Sequence, residues 1–189
     1  MSLDLSKLTD GELAVLSNAG RATAFAEIVR RYRTPLYRLA LASLADPDDA
    51  LDVTQETFIA AYVALRRYDV ARPMRPWLAR IALNRCRDKI RHRQVRRLLT
   101  PFADDDAAIE LVADEAPGQD AEVAYKQALA GTMRAISGLP AAIREPLVLR
   151  TIEGLSQSET ALVLGISEKA VETRLRRARN QLKNIMRPI

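Results

Sequence analysis

Between Leu155 and Val171 the chain carries two helix-start signals and one helix-stop signal in close order. Ser156 and Glu159 stand at capping-box spacing, so the side chain of each can pair with the other's free backbone N–H. Gly165 falls where that short helix must stop and turn, a position that favours a residue without Cβ. Ser167 can cap the next helix, and Glu168 suits its positive end. A short helix, a tight glycine turn and a second helix make the layout of a DNA-binding helix-turn-helix.

The second of these helices separates its faces. Val171, Leu175, Ala178, Leu182 and Ile185 follow a 4-3-4-3 rhythm and are predicted to be buried. Lys169, Glu172, Thr173, Arg176, Arg177 and Asn180 fall mostly elsewhere. Those residue types can read base edges or clamp phosphates in a major groove. The plainer alternative is a surface helix whose arginines meet only water.

The rest of the chain also spaces its apolar residues by three and four, shows no sustained alternation and is only 5% aromatic, so the expected fold is all-α. Arg21 to Arg67 reads as two helices. The first carries Phe25, Ile28, Val29, Tyr32, Leu36, Leu39 and Ala40, with Pro35 as a kink or interruption. The second starts at Asp46-Pro47-Asp48-Asp49, where Asp46 can cap and Pro47 suits the first turn. Tyr68 to Pro76 is expected to be a loop, and a third long helix runs from about Pro76 to Gln94. The pattern is lost from Leu98 to Ala121, which contains Pro101, Pro117 and Gly118, with at most one short helical turn around Ile109 to Val112. A second helical unit follows from about Glu122, punctuated by Pro140 and Gly154. The expected organisation is two small helical domains: a lead-in over 1–20, a first unit over 21–95, a flexible acidic linker over 96–121 and a second unit over 122–189.

Charge sharpens this division. The net charge is +5 over 189 residues. Arg85 to Arg97 holds seven Lys/Arg and one acid, Arg174 to Arg187 holds six Lys/Arg and no acid, and Asp104 to Glu122 holds eight acids and no base. Two helix ends of +6 therefore flank a connector of −8, which is compatible with a nucleic-acid partner. One cysteine and one histidine make neither an internal disulfide nor a good metal site. Cys86 reads as a core residue and His92 as a surface or phosphate-contacting one. No Gly-rich phosphate loop, nucleophile–base set or convincing carboxylate pair is present, so no catalytic residue, metal or cofactor is expected. No apolar run approaches the ~18 residues of a membrane span, and Met1 to Asp10 lacks a secretory pattern. A cytoplasmic protein without direct membrane contact is expected.

Two further faces carry candidate chemistry. In Asp49 to Leu65 the residues Ala50, Val53, Phe58, Ala61, Tyr62 and Leu65 make one apolar stripe, while Asp52, Gln55, Glu56 and Ile59 lie on another. That second face could dock a basic partner helix or simply meet solvent. In the third helix, Leu78, Ala82, Cys86 and Ile90 read as core beside Trp77 and Ile81. Arg80, Asn84, Arg87 and Arg91 follow 4-3-4 spacing along a polar stripe that could track a nucleic-acid backbone.

Four blocks resemble one family, the sigma-70 factors of RNA polymerase, in its small extracytoplasmic-function group. Asp49-Ala50-Leu51-Asp52-Val53-Thr54-Gln55-Glu56-Thr57-Phe58 is similar to the region-two helix that binds the polymerase clamp. Trp77-Leu78-Ala79-Arg80-Ile81-Ala82-Leu83-Asn84 is similar to the region-two helix that handles the −10 element. Leu139 to Arg150 with Glu153-Gly154-Leu155-Ser156, and Arg174-Leu175-Arg176-Arg177-Ala178-Arg179, resemble region four. The likeness covers about Arg21 to Lys183, and no region one or full region three is present.

The resemblance implies a non-catalytic initiation factor with core RNA polymerase (its clamp coiled coil and flap), promoter DNA and an anti-sigma factor as partners. It implies that Asp49, Asp52, Gln55, Glu56 and Ile59 bind core polymerase. Arg66, Arg67, Tyr68, Arg80, Asn84, Arg87 and Arg91 would serve the −10 element, the loop from Arg66 to Pro76 holding a flipped base. Lys169, Glu172, Thr173, Arg176, Arg177 and Asn180 would read the −35 element, and the acidic linker would pass through the RNA exit channel. One departure stands out. Many members have Gly-Thr-Val followed by a basic residue at the start of the recognition helix, whereas this chain has Lys169-Ala170-Val171-Glu172. An acid there repels phosphate but accepts from a cytosine amino group, so an unusual −35 sequence is expected. Two rival readings are a sigma mimic that only sequesters an anti-sigma factor, and an ordinary repressor or activator acting without polymerase.

Overall fold

The computed structural model describes residues 3–99 and 120–186, and these are built from helices without any strand. In the first unit, α1 (Asp10–Asn18), α2 (Ala22–Leu44), α3 (Pro47–Ala64) and α4 (Met74–Leu99) surround one core. In the second, α5 (Asp120–Ser137), α6 (Ala141–Thr151), α7 (Gln157–Leu164) and α8 (Glu168–Ile185) surround a further part of the same hydrophobic cluster, which runs through both units. The all-α expectation holds.

The first part of the core is made where α2, α3 and α4 pack on one another. Ile28, Leu36, Leu39, Leu65, Met74, Leu78 and Leu83 are almost fully enclosed there. Phe25 adds edge-on contacts to Phe58 and Tyr62, at centroid distances of 6.4 and 4.9 Å. Asp46 caps α3 by accepting from the Asp49 N–H, with Pro47 in the first turn. Pro35 neither kinks α2 into two pieces nor ends it, because the helix is continuous from Ala22 to Leu44. An interior proline costs about 3 kcal/mol, and burial of Ile28 before it and Leu36 and Leu39 after it offsets that.

Helix α4 begins at Met74 rather than Pro76. Pro76 therefore lies in the first turn, where a missing N–H forfeits no helical bond. The helix also runs past Gln94 to Leu99, and α5 starts at Asp120, before Glu122. The helical turn expected around Ile109 to Val112, with most of the acidic linker, lies outside the described residues.

The stretch 1–20 contains an element that pattern reading missed. Thr9 and Glu12 form a capping box that opens α1, and Leu13 and Ala14 are completely buried. Arg31 ties this segment down. Its guanidinium donates to Asp10 at 3.0 Å and to the carbonyls of Leu5, Ser6 and Leu8 at 3.2, 3.0 and 2.8 Å. Glu27 holds that arginine from the other side, at 2.9 Å.

The second part of the core gathers Leu139, Leu147, Val148, Leu149, Leu155, Val171, Leu175 and Ala178 between α6, α7 and α8. The predicted stripe of α8 is only partly buried. Val171, Leu175 and Ala178 are enclosed, Leu182 is half-buried and Ile185 is 52% exposed. The last turns of α8 extend beyond the bundle, so the rhythm continues where there is nothing left to pack against. The two units touch: α5 and α6 rest on α2, and α7 rests on α4.

Candidate functional site

The helix-turn-helix forms as its caps dictate. Ser156 Oγ accepts from the Glu159 N–H at 3.1 Å, and the Ser156 N–H donates to Glu159 Oε2 at 2.7 Å. Hydrogen bonding from Ser156, its hydroxyl first and then its backbone N–H, holds the Glu159 carboxyl below its ordinary pKa. Gly165 adopts φ +66°, the left-handed conformation that ends α7. Ser167 then caps α8 by accepting from the Ala170 N–H at 3.2 Å, and Gln157 Nε2 donates to the Glu168 carbonyl at 3.1 Å. That last bond fixes the start of α7 against the start of α8.

With Val171, Leu175 and Ala178 buried, Lys169, Glu172, Arg176, Arg177 and Asn180 are exposed on α8, and Thr173 is half-exposed. Thr173 Oγ1 donates to the Lys169 carbonyl at 2.9 Å. Ion pairs among the described residues do not involve this helix. Its cations are free to meet an anionic partner.

Helix α3 presents a different face. Asp52, Gln55, Glu56 and Ile59 are exposed, Ile59 at 66%. Leu51, Tyr62 and Val63 join them, at 49, 54 and 76% exposure. Tyr62 is thus not part of the buried stripe, although one ring edge meets Phe25. The sequence could have revealed the wider face, since Leu51, Gln55, Ile59 and Val63 recur every four residues. Asp49 is turned inward instead. It pairs with Lys89 at 2.9 Å and with Arg93, which also holds Asp46 at 2.6 Å. Asp49 pins α3 to α4, while Asp52 meets Lys89 at 3.1 Å and stays largely exposed.

On α4, Arg80, Asn84, Arg87 and Arg91 do line one exposed face. Arg66 and Arg67 are exposed on a 3-10 turn, Leu65–Arg67, just before the connecting loop. Tyr68 is not on that surface: it is 7% exposed, stacks on Trp77 at 4.9 Å and donates its hydroxyl to the Arg72 carbonyl. Burial raises its pKa to about 12. Its aromatic ring packs better under the loop than in water, so it supports the loop rather than lining it.

Two acids of the second unit reach α4. Arg87 donates Nε and Nη2 to the two oxygens of Glu145, at 2.7 and 2.6 Å, and Nη1 to Asn84 at 3.0 Å. Arg75 meets Glu153 at 3.4 Å. Both acids lie in the blocks that resemble region four, but sequence reasoning gave neither a partner, because nothing local marks an acid whose partner lies 58 or 78 residues away. Cys86 is buried and burial raises its thiol to about 12, while His92 is exposed. Among the described residues no acid, histidine or cysteine cluster could hold a metal, and no helix is long and apolar enough to cross a membrane.

Family models for sigma-70 region 2 and sigma-70 region 4 match residues 28–96 and 131–182. The RNA polymerase sigma factor CnrH of Cupriavidus metallidurans is 40% identical over 180 residues, covering 94% of each chain. The chain belongs to the sigma-70 family. It is a promoter-directing sigma factor of the extracytoplasmic-function group, and the ECF sigma factor SigW of Bacillus subtilis is 33% identical over 90% of this chain and 92% of its own. The structure of CnrH in complex with the cytosolic domain of CnrY superposes with a TM-score of 0.70 at 34% identity, covering 94% of this chain and 96% of that one. The sigma factor RpoE from Bartonella quintana, solved with the anti-sigma factor NepR, shares the fold at a TM-score of 0.65 and 23% identity, over 86% of this chain and 96% of that one. In this sigma factor the region 2 match spans α2 to α4, and the region 4 match spans α5 to α8.

Proposed function

We propose that this sigma factor binds core polymerase through the exposed face of α3, serves the −10 element with α4 and the turn before it, and reads the −35 element with α8. The observation that carries the proposal is the division of α8. Its apolar side is buried in a capped helix-turn-helix, while Lys169, Glu172, Arg176, Arg177 and Asn180 are exposed and unpaired. A long basic helix held by its apolar side offers its polar side to a major groove.

On α3 the polymerase-binding set is Asp52, Gln55, Glu56 and Ile59, widened by Leu51 and Val63. Acids around an apolar strip suit a basic coiled coil, the acids steering and the apolar residues holding. Asp49 contributes by fixing α3 on α4. Arg66, Arg67, Arg80, Asn84, Arg87 and Arg91 make the −10 face, with Tyr68 and Trp77 as the floor under the loop. The protein has no catalytic step of its own and works in the cytoplasm with polymerase. An anti-sigma factor regulates it, as expected for a relative of a protein solved with a partner's cytosolic domain.

Transcription in vitro with purified core polymerase on a genomic template library tests the whole reading. Promoter-dependent transcripts are expected, and none at all would overturn it. A mimic that only sequesters an anti-sigma factor has no use for the free cations of α8. Glu172 sets part of the −35 preference: Glu172→Ala is expected to change which promoters are transcribed, and an unchanged set would remove Glu172 from the readout.

A further inference from the structure

The two carboxylates that join the units occupy the helix proposed to meet the −10 element. Glu145 takes the Nε–Nη2 edge of Arg87, and Nη1 of the same guanidinium donates to Asn84. A bidentate carboxylate presents two oxygens to an arginine fork much as a phosphate does. Glu153 is 0% exposed against Arg75, at the start of α4, and its Oε1 has no hydrogen-bond partner. Burial pushes its carboxyl above the ordinary range. Arg144, beside Glu145, is 7% exposed and its Nε has no partner either.

A junction between units with one strong ion pair and two unmet buried polar atoms is held well enough to form. It is not satisfied enough to be permanent, because an unpaired buried polar group favours exposure to water. The charge pattern is also directional. Region 4 sets acids against the arginines of α4 and keeps its own basic helix, α8, free of ion pairs.

We propose that Glu145 and Glu153 form an autoinhibitory clasp, in which Glu145 occupies Arg87 of the α4 face as an internal substitute for DNA phosphate, and Glu153 anchors region 4 through Arg75, until the two units separate. The clasp rests on the reading of α4 as the −10 face. Closure would keep the free protein from binding single strands at random. Engagement of α3 or α8 by a partner would favour the open form by mass action.

The test uses the full chain, with one spin label on the exposed end of α4 and one on the exposed end of α8. Glu145→Gln keeps the shape and removes the charge, and it is expected to broaden the distance distribution toward longer separations. It is also expected to raise affinity for mixed-sequence single-stranded DNA about fivefold, the scale of a partly exposed ion pair. The charge-matched control Asp48→Asn, on the exposed first turn of α3, is expected to change neither. Exchanging the charges with Arg87→Glu and Glu145→Arg is expected to restore the short distance. An unchanged distance in both Glu145→Gln and Glu153→Gln would overturn the clasp. A longer distance with unchanged DNA affinity, and no loss on adding Arg80→Gln, would instead overturn the reading of α4 and with it the inhibitory role.

Discussion

Two helices of this protein end in the same charge, and the fold uses them differently. Arg85 to Arg97 on α4 and Arg174 to Arg187 on and after α8 each sum to +6. On α4, Arg87, Lys89 and Arg93 are paired with acids outside their own helix. Lys89 and Arg93 hold Asp46, Asp49 and Asp52, Arg87 holds Glu145, and Arg91 lies 3.7 Å from Asp88. Among the described residues of α8 they are unpaired. A charge run is therefore two kinds of object: a set of struts where acids of neighbouring helices lie within reach, and a ligand surface where none do.

The comparison breaks most visibly in the cores beneath the two helices. Leu78 on α4 is fully buried, and Leu78→Ala is expected to cost about 2–5 kcal/mol in chemical denaturation. Ile185 on α8 belongs to an equally regular pattern yet is 52% exposed, and Ile185→Ala is expected to stay within ~0.5 kcal/mol. Similar losses would mean that the end of α8 is packed after all.

Next in size is the readout itself. Arg176→Ala with Arg177→Ala is expected to weaken binding of a −35 duplex by about 1–3 kcal/mol for each base edge no longer read, with no change in melting temperature. A band-shift titration beside a thermal melt separates the two effects. Gly165→Ala tests the turn that aims α8. No atom lies within 4 Å of the added Cβ, so only the left-handed backbone resists it, at about 1–2 kcal/mol, read as a lower denaturation midpoint.

The smallest effect concerns pH. Arg30 and Arg31 hydrogen-bond Glu27 and hold its carboxyl down at about 2. The folded value lies below the ordinary ~4.3 of an unfolded glutamate. Its stabilising contribution is therefore present above that value and fades as pH falls toward 2. Glu27→Gln is expected to flatten this limb of a melting-temperature profile, and an unaltered profile would show that Arg31 holds the lead-in without Glu27.

Much of the fold was legible because its signals are local. Ser156, Glu159, Gly165 and Ser167 each act within four residues of themselves, and each took its expected role. Asp46 and Pro47 did the same for α3. The candidate site was less legible wherever a side chain had to choose between two surroundings. Tyr68 and Asp49 are of types that suit a DNA-facing loop and a polymerase-facing helix. Yet one packs under Trp77 and the other pins α4. Leu51 and Val63 are apolar, and only their four-residue spacing with Gln55 and Ile59 marks them for the outer face.

The sequence by itself determined an all-helical chain in two units, the caps and turn of the helix-turn-helix, and the family to which the blocks belong. These depend on backbone hydrogen bonds and spacing over a few residues. Only the tertiary structure decided which cations are spent within the fold and which remain available. It alone brought Glu145 to Arg87 and Glu153 to Arg75. Those pairings join residues far apart in the chain, and a charge has no preferred partner until folding brings one within a few ångströms.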